Sequence, residues 1–395
     1  MTEGGVVLAD YDWDVLSRRD LTKLNNNAFS MDFAYEDDDD LATLTHTGPA
    51  PVTYTLGRNQ VGQITSLGVT DGAFLSRPPT AATDAYAANR LNQISALNAG
   101  VFAYDANGNL TSDGTFTYEY DEENRLRSAV SSTSTAQYEF DPLGRRRAKL
   151  VDGIASRFVH SGEDEIEERS GSNSTVSRFY YGPGVDDRIG IMNQTYCPGT
   201  GRCFYAANWQ GSTISVVRQD GSLQEVFRYG PFGEDNAWTP MNSSSSNPFR
   251  FIGRRHDDET GLYYLRARNY SPRLGRFLQV DPGGRESDIN LYVYARSDPA
   301  NFLDSGGRDA AVKVWDSGRV EIKVPIHFSG PAATSSNIQA VKSNIESRWS
   351  GQIGKYDVTT TVEVRGAESR FDVSTNQVTL IDEAGAQLRR YRLGE

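Results

Sequence analysis

The sequence predicts a mainly β protein: an antiparallel sheet of repeated hairpins leading into an arginine-rich segment, with a small α+β piece at the C-terminal end. Three observations predict it. A phrase that begins with an aromatic residue and Asp recurs as YDANGNL (104–110), YDEENRL (120–126) and FDPLGRR (140–146), with a worn copy, YEDDDDL, at 35–41. Aromatic and polar residues alternate beside it. The composition, with 20 Tyr, 17 Phe and 37 Gly, favours short strands and tight turns.

The repeated phrase reads as a hairpin corner. In TFTYEYDEENRLRSAV (115–130), Phe116, Tyr118 and Tyr120 alternate with Thr117 and Glu119, the period of a strand with one buried face. Asp121 ends the strand, its carboxylate placed to accept a backbone N–H two residues on. Asn124, like Gly108 and Gly144 in the sister copies, stands where the chain needs a positive φ. Leu126 returns to the buried face. A hairpin of this size cannot bury its own face, so neighbouring copies must cover it.

Composition bounds the rest. The 395 residues suffice for two or three domains. No apolar run reaches about 18 residues, so no membrane span is expected. The N-terminal MTEGGVVLADYDWD has neither a basic start nor an apolar block, so no signal peptide is expected. Net charge is −12, with 28 Lys+Arg against 41 Asp+Glu in residues 1–307 and 12 against 11 in 308–395. That shift marks a boundary, and the acidic body would repel nucleic acid.

Cys197 and Cys203, in CPGTGRC, flank a Pro-Gly that suggests a hairpin tip. Two sulfurs without a nearby His cannot close a zinc site. A small disulfide and a pair of free thiols both fit the spacing. His46, His160, His256 and His327 lie in no metal-ligand spacing, so no metal or cofactor is expected. EDDDD (36–40) lacks the alternating ligands and central Gly of a calcium loop and reads as a solvated turn.

The three aromatic-Asp phrases resemble the tyrosine–aspartate (YD) repeats of the Rhs family. NPFRFIGRRHDDETGLYYLRARNYSPRLGRFLQVDP (247–282) resembles the Rhs repeat-associated core, and WQGSTISVVRQDGSLQEVFRYGPFGE (209–234) resembles the stretch leading into it. The similarity divides the chain into a YD-repeat region (10–230), a core (229–306) and a variable α+β region (307–395). In the core, DDETGLYYLRARNY reads as a hairpin with Gly261 at its left-handed position. Alternation over 263–270 would put Tyr263, Leu265, Ala267 and Asn269 on one face and Tyr264, Arg266, Arg268 and Tyr270 on the other. Residues 247–306 hold nine Arg and no Lys, which suits pairing with carboxylates and stacking on Tyr rings.

In the Rhs family and the related C components of insect toxin complexes, the repeats wind into a hollow shell. The core plugs one end, and an aspartyl autoprotease there cuts off a variable C-terminal toxin. The family pattern has one Asp-Pro after the GRF strand and a second before the cut, in D-P-x-G-L. Here Asp281-Pro282-Gly283-Gly284 matches the first, but Asp304-Ser305-Gly306-Gly307-Arg308 departs from the second. Two carboxyls sharing a proton can hydrolyse a peptide, one activating water and the other protonating the carbonyl oxygen. The resemblance makes Asp281 and Asp304 the candidate dyad, with Asp288 a third candidate and the cleavage position at Arg308. The competing reading makes both aspartates turn residues. With Arg308 in place of the family's leucine, the turn reading is preferred and an uncut chain is expected.

Residues 308–395 follow a different pattern. VKVWDSGRVEIKVPIHFSG (312–330) reads as two strands around a Ser-Gly turn. TSSNIQAVKSNIESRW (334–349) reads as a helix bearing Ile338, Val341, Ile345 and Trp349 on one side, with Ser336 or Asn337 as N-cap. YDVTTTVEVRG and FDVSTNQVTLID read as strands. The piece resembles the opening of zincin-like peptidases, but no H-E-x-x-H follows.

Three functions compete. The resemblance implies a structural encapsulation module of a polymorphic toxin, secreted or at the cell surface. Its partners would be its own or a neighbouring YD-repeat chain, and an immunity protein for the C-terminal region. The alternatives are a secreted or surface glycan-binding repeat protein, and a toxin enzyme residing in 307–395.

Overall fold

The computed structural model describes residues 1–37, 39–60, 62–74, 85–98, 100–184, 186–234, 247–282, 290–304 and 306–307. Beyond these it describes 312–314, 319–329, 334–348, 350–353, 356–364 and 376–379. The chain divides into two compact units. The first comprises Met1–Gln279 with Tyr292–Ser305, the second Val280–Leu291 with Gly306–Glu395.

The first unit is almost entirely antiparallel sheet. Six strands, from Ala9–Trp13 to Ile64–Val69, form one sheet in sequence order. Thirteen more, from Ala103–Tyr104 to Leu223–Val226, form a second, also in sequence order. Each strand pairs with its neighbour through a short connection, as hairpin repeats require. A four-stranded sheet follows, built from Arg255–Asp257, Leu262–Leu265, Arg268–Ser271 and Arg276–Phe277.

One turn recurs throughout. Its first residue donates its N–H to the carbonyl four positions on, and its fourth residue, at positive φ, donates back to the first. The turns at Glu36, Asp105, Asp121 and Asp141 are the phrases legible in the sequence. The same two bonds also close turns beginning at Asp14, Asn59, Asn89, Ser170, Asn208, Arg218, Gly230 and Arg250. Where Asp leads, its carboxylate locks the corner: Asp121 Oδ1 accepts the N–H groups of Glu123 (3.0 Å) and Arg125 (2.9 Å). The Arg125 guanidinium returns to Asp121 Oδ2 at 2.7 Å. Asn124, Gly108 and Gly144 all have positive φ, as expected.

The tyrosine has its own task. Tyr35 Oη donates to the Arg19 carbonyl, Tyr181 to that of Glu165 and Tyr229 to that of Thr213, each 16 residues back. The ring is thus half-buried while its hydroxyl finds an acceptor, which a phenol withdrawn from water needs.

The buried face of the six-stranded sheet, including Leu24, Phe29, Met31, Leu44 and Tyr54, packs on Ile189, Phe204, Ile214 and Val217 of the long sheet. Tyr118, Leu126 and Tyr138, from the repeats, pack with Leu262 and Leu278 of the core. A third cluster joins Phe251, Tyr263, Tyr270, Phe277 and Tyr294.

The expected two-faced strand over 263–270 is corrected. The chain turns back at Arg266 (φ 56°), so Leu265 pairs with Arg268 and Tyr263 with Tyr270. Tyr263 and Tyr270 therefore sit side by side instead of on opposite faces. The sequence hid this turn because neither of its central residues, Arg266 or Ala267, is a turn former.

In the second unit, Val312–Val314 pairs antiparallel with Arg319–Ser329. Arg319–Ser329 runs parallel to Tyr356–Val364, with the helix Ser335–Arg348 between them in sequence. Val341 and Val362 are buried, and Lys342 Nζ donates to the Val362 carbonyl at 2.7 Å. The helix begins at Ser335, so Ser336 and Asn337, expected as caps, lie inside its first turn.

Candidate functional site

The arginine-rich core is where the first unit concentrates charge in its interior. Arg146, from the repeat hairpin, and Asp257, from the core, are both buried and meet at 2.6 Å. The guanidinium is sandwiched between the rings of Tyr138 (4.2 Å) and Tyr264 (4.1 Å). Lys149 stands 3.5 Å from Asp257 and 3.0 Å from Glu259. Burial alone would push the Asp257 carboxyl up, but the Arg146 and Lys149 charges hold it below the usual carboxylate range.

The pattern repeats along the sheet. Arg255 binds Glu165 and, at 2.9 Å, Glu168, with the Phe158 ring 4.4 Å below. Arg254 and Arg266 both reach Asp186, at 2.5 and 3.1 Å. Arg188 lies 3.6 Å over Phe249. Planar guanidiniums can hold a carboxylate edge-on while stacking on a ring, which an ammonium cannot do.

Asp304 belongs to this network. It is 4% exposed and pairs with Arg268 at 3.0 Å, and that guanidinium lies 3.6 Å over Phe277. Burial, reinforced by the Asp304 charge, pushes the Tyr294 hydroxyl up, so it stays protonated. Asp281 is 6% exposed and donates its N–H to the Leu291 carbonyl at 2.9 Å. Asp304 falls in the first unit and Asp281 in the second. Asp288 and Arg308 lie outside the described residues. What the sequence missed is Arg268, the buried counter-charge of Asp304. Its only local signal was an arginine excess without lysine.

Cys197 and Cys203 are joined by a disulfide, with Cα atoms 5.8 Å apart. Both are buried among Phe179, Tyr196, Tyr205, Phe227 and Phe249. Glu36 and Asp40 close a hairpin turn at 2.8 Å through their backbones. Among the described residues no group of three or more His, Cys, Asp or Glu is arranged to hold a metal ion. Nor is any described helix long and apolar enough to cross a membrane, which leaves membrane β-barrels unaddressed.

Against known proteins, residues 7–300 match the teneurin YD-shell family. The tRNA nuclease WapA of Bacillus subtilis (strain 168) is 31% identical over 229 residues, which cover 55% of this chain and 10% of WapA. Toxin protein Tse5 of Pseudomonas aeruginosa is 28% identical over 265 residues, covering 56% of this chain and 19% of Tse5. The chain thus spans a small fraction of these relatives. Among solved structures, the TcdB2-TccC3 crystal structure superposes with a TM-score of 0.57 at 16% identity, over 78% of this chain and 20% of that one. That likeness concerns the fold. With sheets in sequence order, one recurrent turn and an arginine-rich core, the chain belongs to the teneurin YD-shell family, as a shell module of the Rhs type.

Proposed function

We propose that this chain is the core-bearing end of the shell of a polymorphic toxin, with residues from 307 onward as its variable tail. The observation that carries the reading is the buried ionic seam between repeats and core, above all Arg146–Asp257. Such a seam fastens a plug to a wall. In this role the chain works with its own or a neighbouring YD-repeat chain and is exported by the producing cell. An immunity protein would match the tail, whose chemistry no motif identifies.

Protease protection tests the reading. The full chain is assembled with YD-repeat chains encoded beside it, and digestion of residues 307–395 is followed by mass spectrometry. Slower digestion in the assembly is expected. Equal digestion rates, with no assembly formed, would remove the encapsulation role.

Self-cleavage by Asp281 and Asp304 is not the favoured reading. Arg268 occupies one side of the Asp304 carboxylate, and an arginine at 308 replaces the apolar residue of the family pattern. A buried, unpaired guanidinium at a scissile strand would cost several kcal/mol. The glycan-binding alternative is not favoured: among the described residues the exposed aromatics Trp13, Tyr86 and Phe302 share no sheet.

A further inference from the structure

We propose that Asp298–Asn301 is a clasp that fastens the edge of the six-stranded sheet to the long sheet. The grip of the clasp on that edge would depend on its grip on the long sheet. Ile64–Val69 is the last strand of its sheet, and an edge strand presents unpaired backbone groups. At Ile64 the edge is occupied by a side chain. The Ile64 N–H donates to Asn301 Oδ1 at 2.5 Å, and Asn301 Nδ2 approaches the Ile64 carbonyl at 3.5 Å. A carboxamide thus stands where the peptide group of a further strand would be.

Asn301 is not free to swing. Its Nδ2 also donates to Asp298 Oδ1 (3.0 Å) and Oδ2 (2.9 Å), and its backbone N–H returns to the Asp298 carbonyl at 3.1 Å. Two residues before Asn301, the Pro299 carbonyl accepts a 2.6 Å bond from Gln210 Nε2. Gln210 lies in the long sheet, in the recurrent turn led by Asn208. One short turn therefore holds two sheets whose contact residues are 237 and 89 positions away in sequence. The same segment roofs the seam between those sheets: Ala300 borders a cavity of 220 Å³ and Leu303 one of 390 Å³, both also lined by Trp209. Asp304, held by Arg268, follows directly. The grip of this segment on Ile64 thus depends on its grip on Gln210. The inference does not depend on what the tail does.

Hydrogen–deuterium exchange on the full chain tests it with two variants. Asn301→Ala removes the cap itself and should speed exchange in Ile64–Val69 by about tenfold, the effect of one lost hydrogen bond. Gln210 makes its side-chain hydrogen bond to Pro299 and not to that strand, yet Gln210→Ala should speed the same amides by several-fold, while strands Thr117–Tyr120 and Thr135–Phe140 keep parental rates and report an intact fold. Asn301→Ser, which is shorter but still polar, serves if the alanine variant loses the fold. Acceleration by both variants supports the clasp. If Gln210→Ala leaves Ile64–Val69 unchanged, Asn301 is a local cap and the clasp is wrong. No response to either variant overturns both statements.

Discussion

Replacing Arg146 by Met tests the seam between repeats and core most directly. The guanidinium is 1% exposed as a side chain and its partner Asp257 is 0% exposed, so neither charge can turn to water. Removing one partner of a buried pair costs about 3–5 kcal/mol, because the other charge is left uncompensated. Lys149, 3.5 Å away, recovers part of that. Loss of stacking between Tyr138 and Tyr264 adds about 1–2 kcal/mol, offset by the apolar surface that Met keeps there. A destabilisation of about 4 kcal/mol is expected, read as a shift of the urea midpoint at unchanged slope. The informative step is the double variant Arg146→Met with Asp257→Leu. It removes the stranded carboxylate and should regain most of the loss, since well-packed apolar replacements of buried pairs are often neutral. If the double variant is less stable than the single one, the cost does not come from an unpaired charge and the reasoning fails.

Three further outcomes follow. Gly261 has φ 70° and open space around the position a Cβ would take, so Gly261→Val should cost about 1–2 kcal/mol from backbone strain alone; an unchanged melting temperature would contradict this. Burial lowers the pKa of His46 to about 4. Between pH 6.5 and 4 the unfolded chain therefore binds the extra proton, and stability should fall by about 3 kcal/mol as pH drops through that window. Burial lowers His160 to about 4 as well, so His46→Gln should remove only part of this fall; an unaltered slope would exclude His46 as a cause. Finally, intact-mass measurement after prolonged incubation should find one 395-residue chain. A fragment spanning 308–395 that is absent in both Asp281→Asn and Asp304→Asn would instead establish self-cleavage.

Local order was legible in the sequence because a hairpin is specified by residues that touch each other. Asp121, Asn124 and the alternation around Tyr118 carry the turn, its left-handed residue and the buried face within a few positions. So do their copies at Asp105 and Asp141, and Gly261 in the core. The same turn went unread at Ser170, Arg218 and Arg250, because its two backbone bonds can form without the Asp that advertises it. The reversal at Arg266 was unreadable for the opposite reason: its residues fit a strand equally well.

What only the tertiary structure decided is which distant groups meet. Arg146 finds Asp257 across 111 residues, Arg268 finds Asp304, and Asn301 reaches Ile64 across 237. An arginine excess predicts that such pairs exist but cannot name them, since a guanidinium will take any carboxylate the fold delivers. Which carboxylate arrives depends on how many hairpins separate the partners and how the two sheets pack. Neither quantity leaves a periodic trace in the sequence. The hairpins were written residue by residue, whereas the seam and the clasp exist only once the hairpins have stacked.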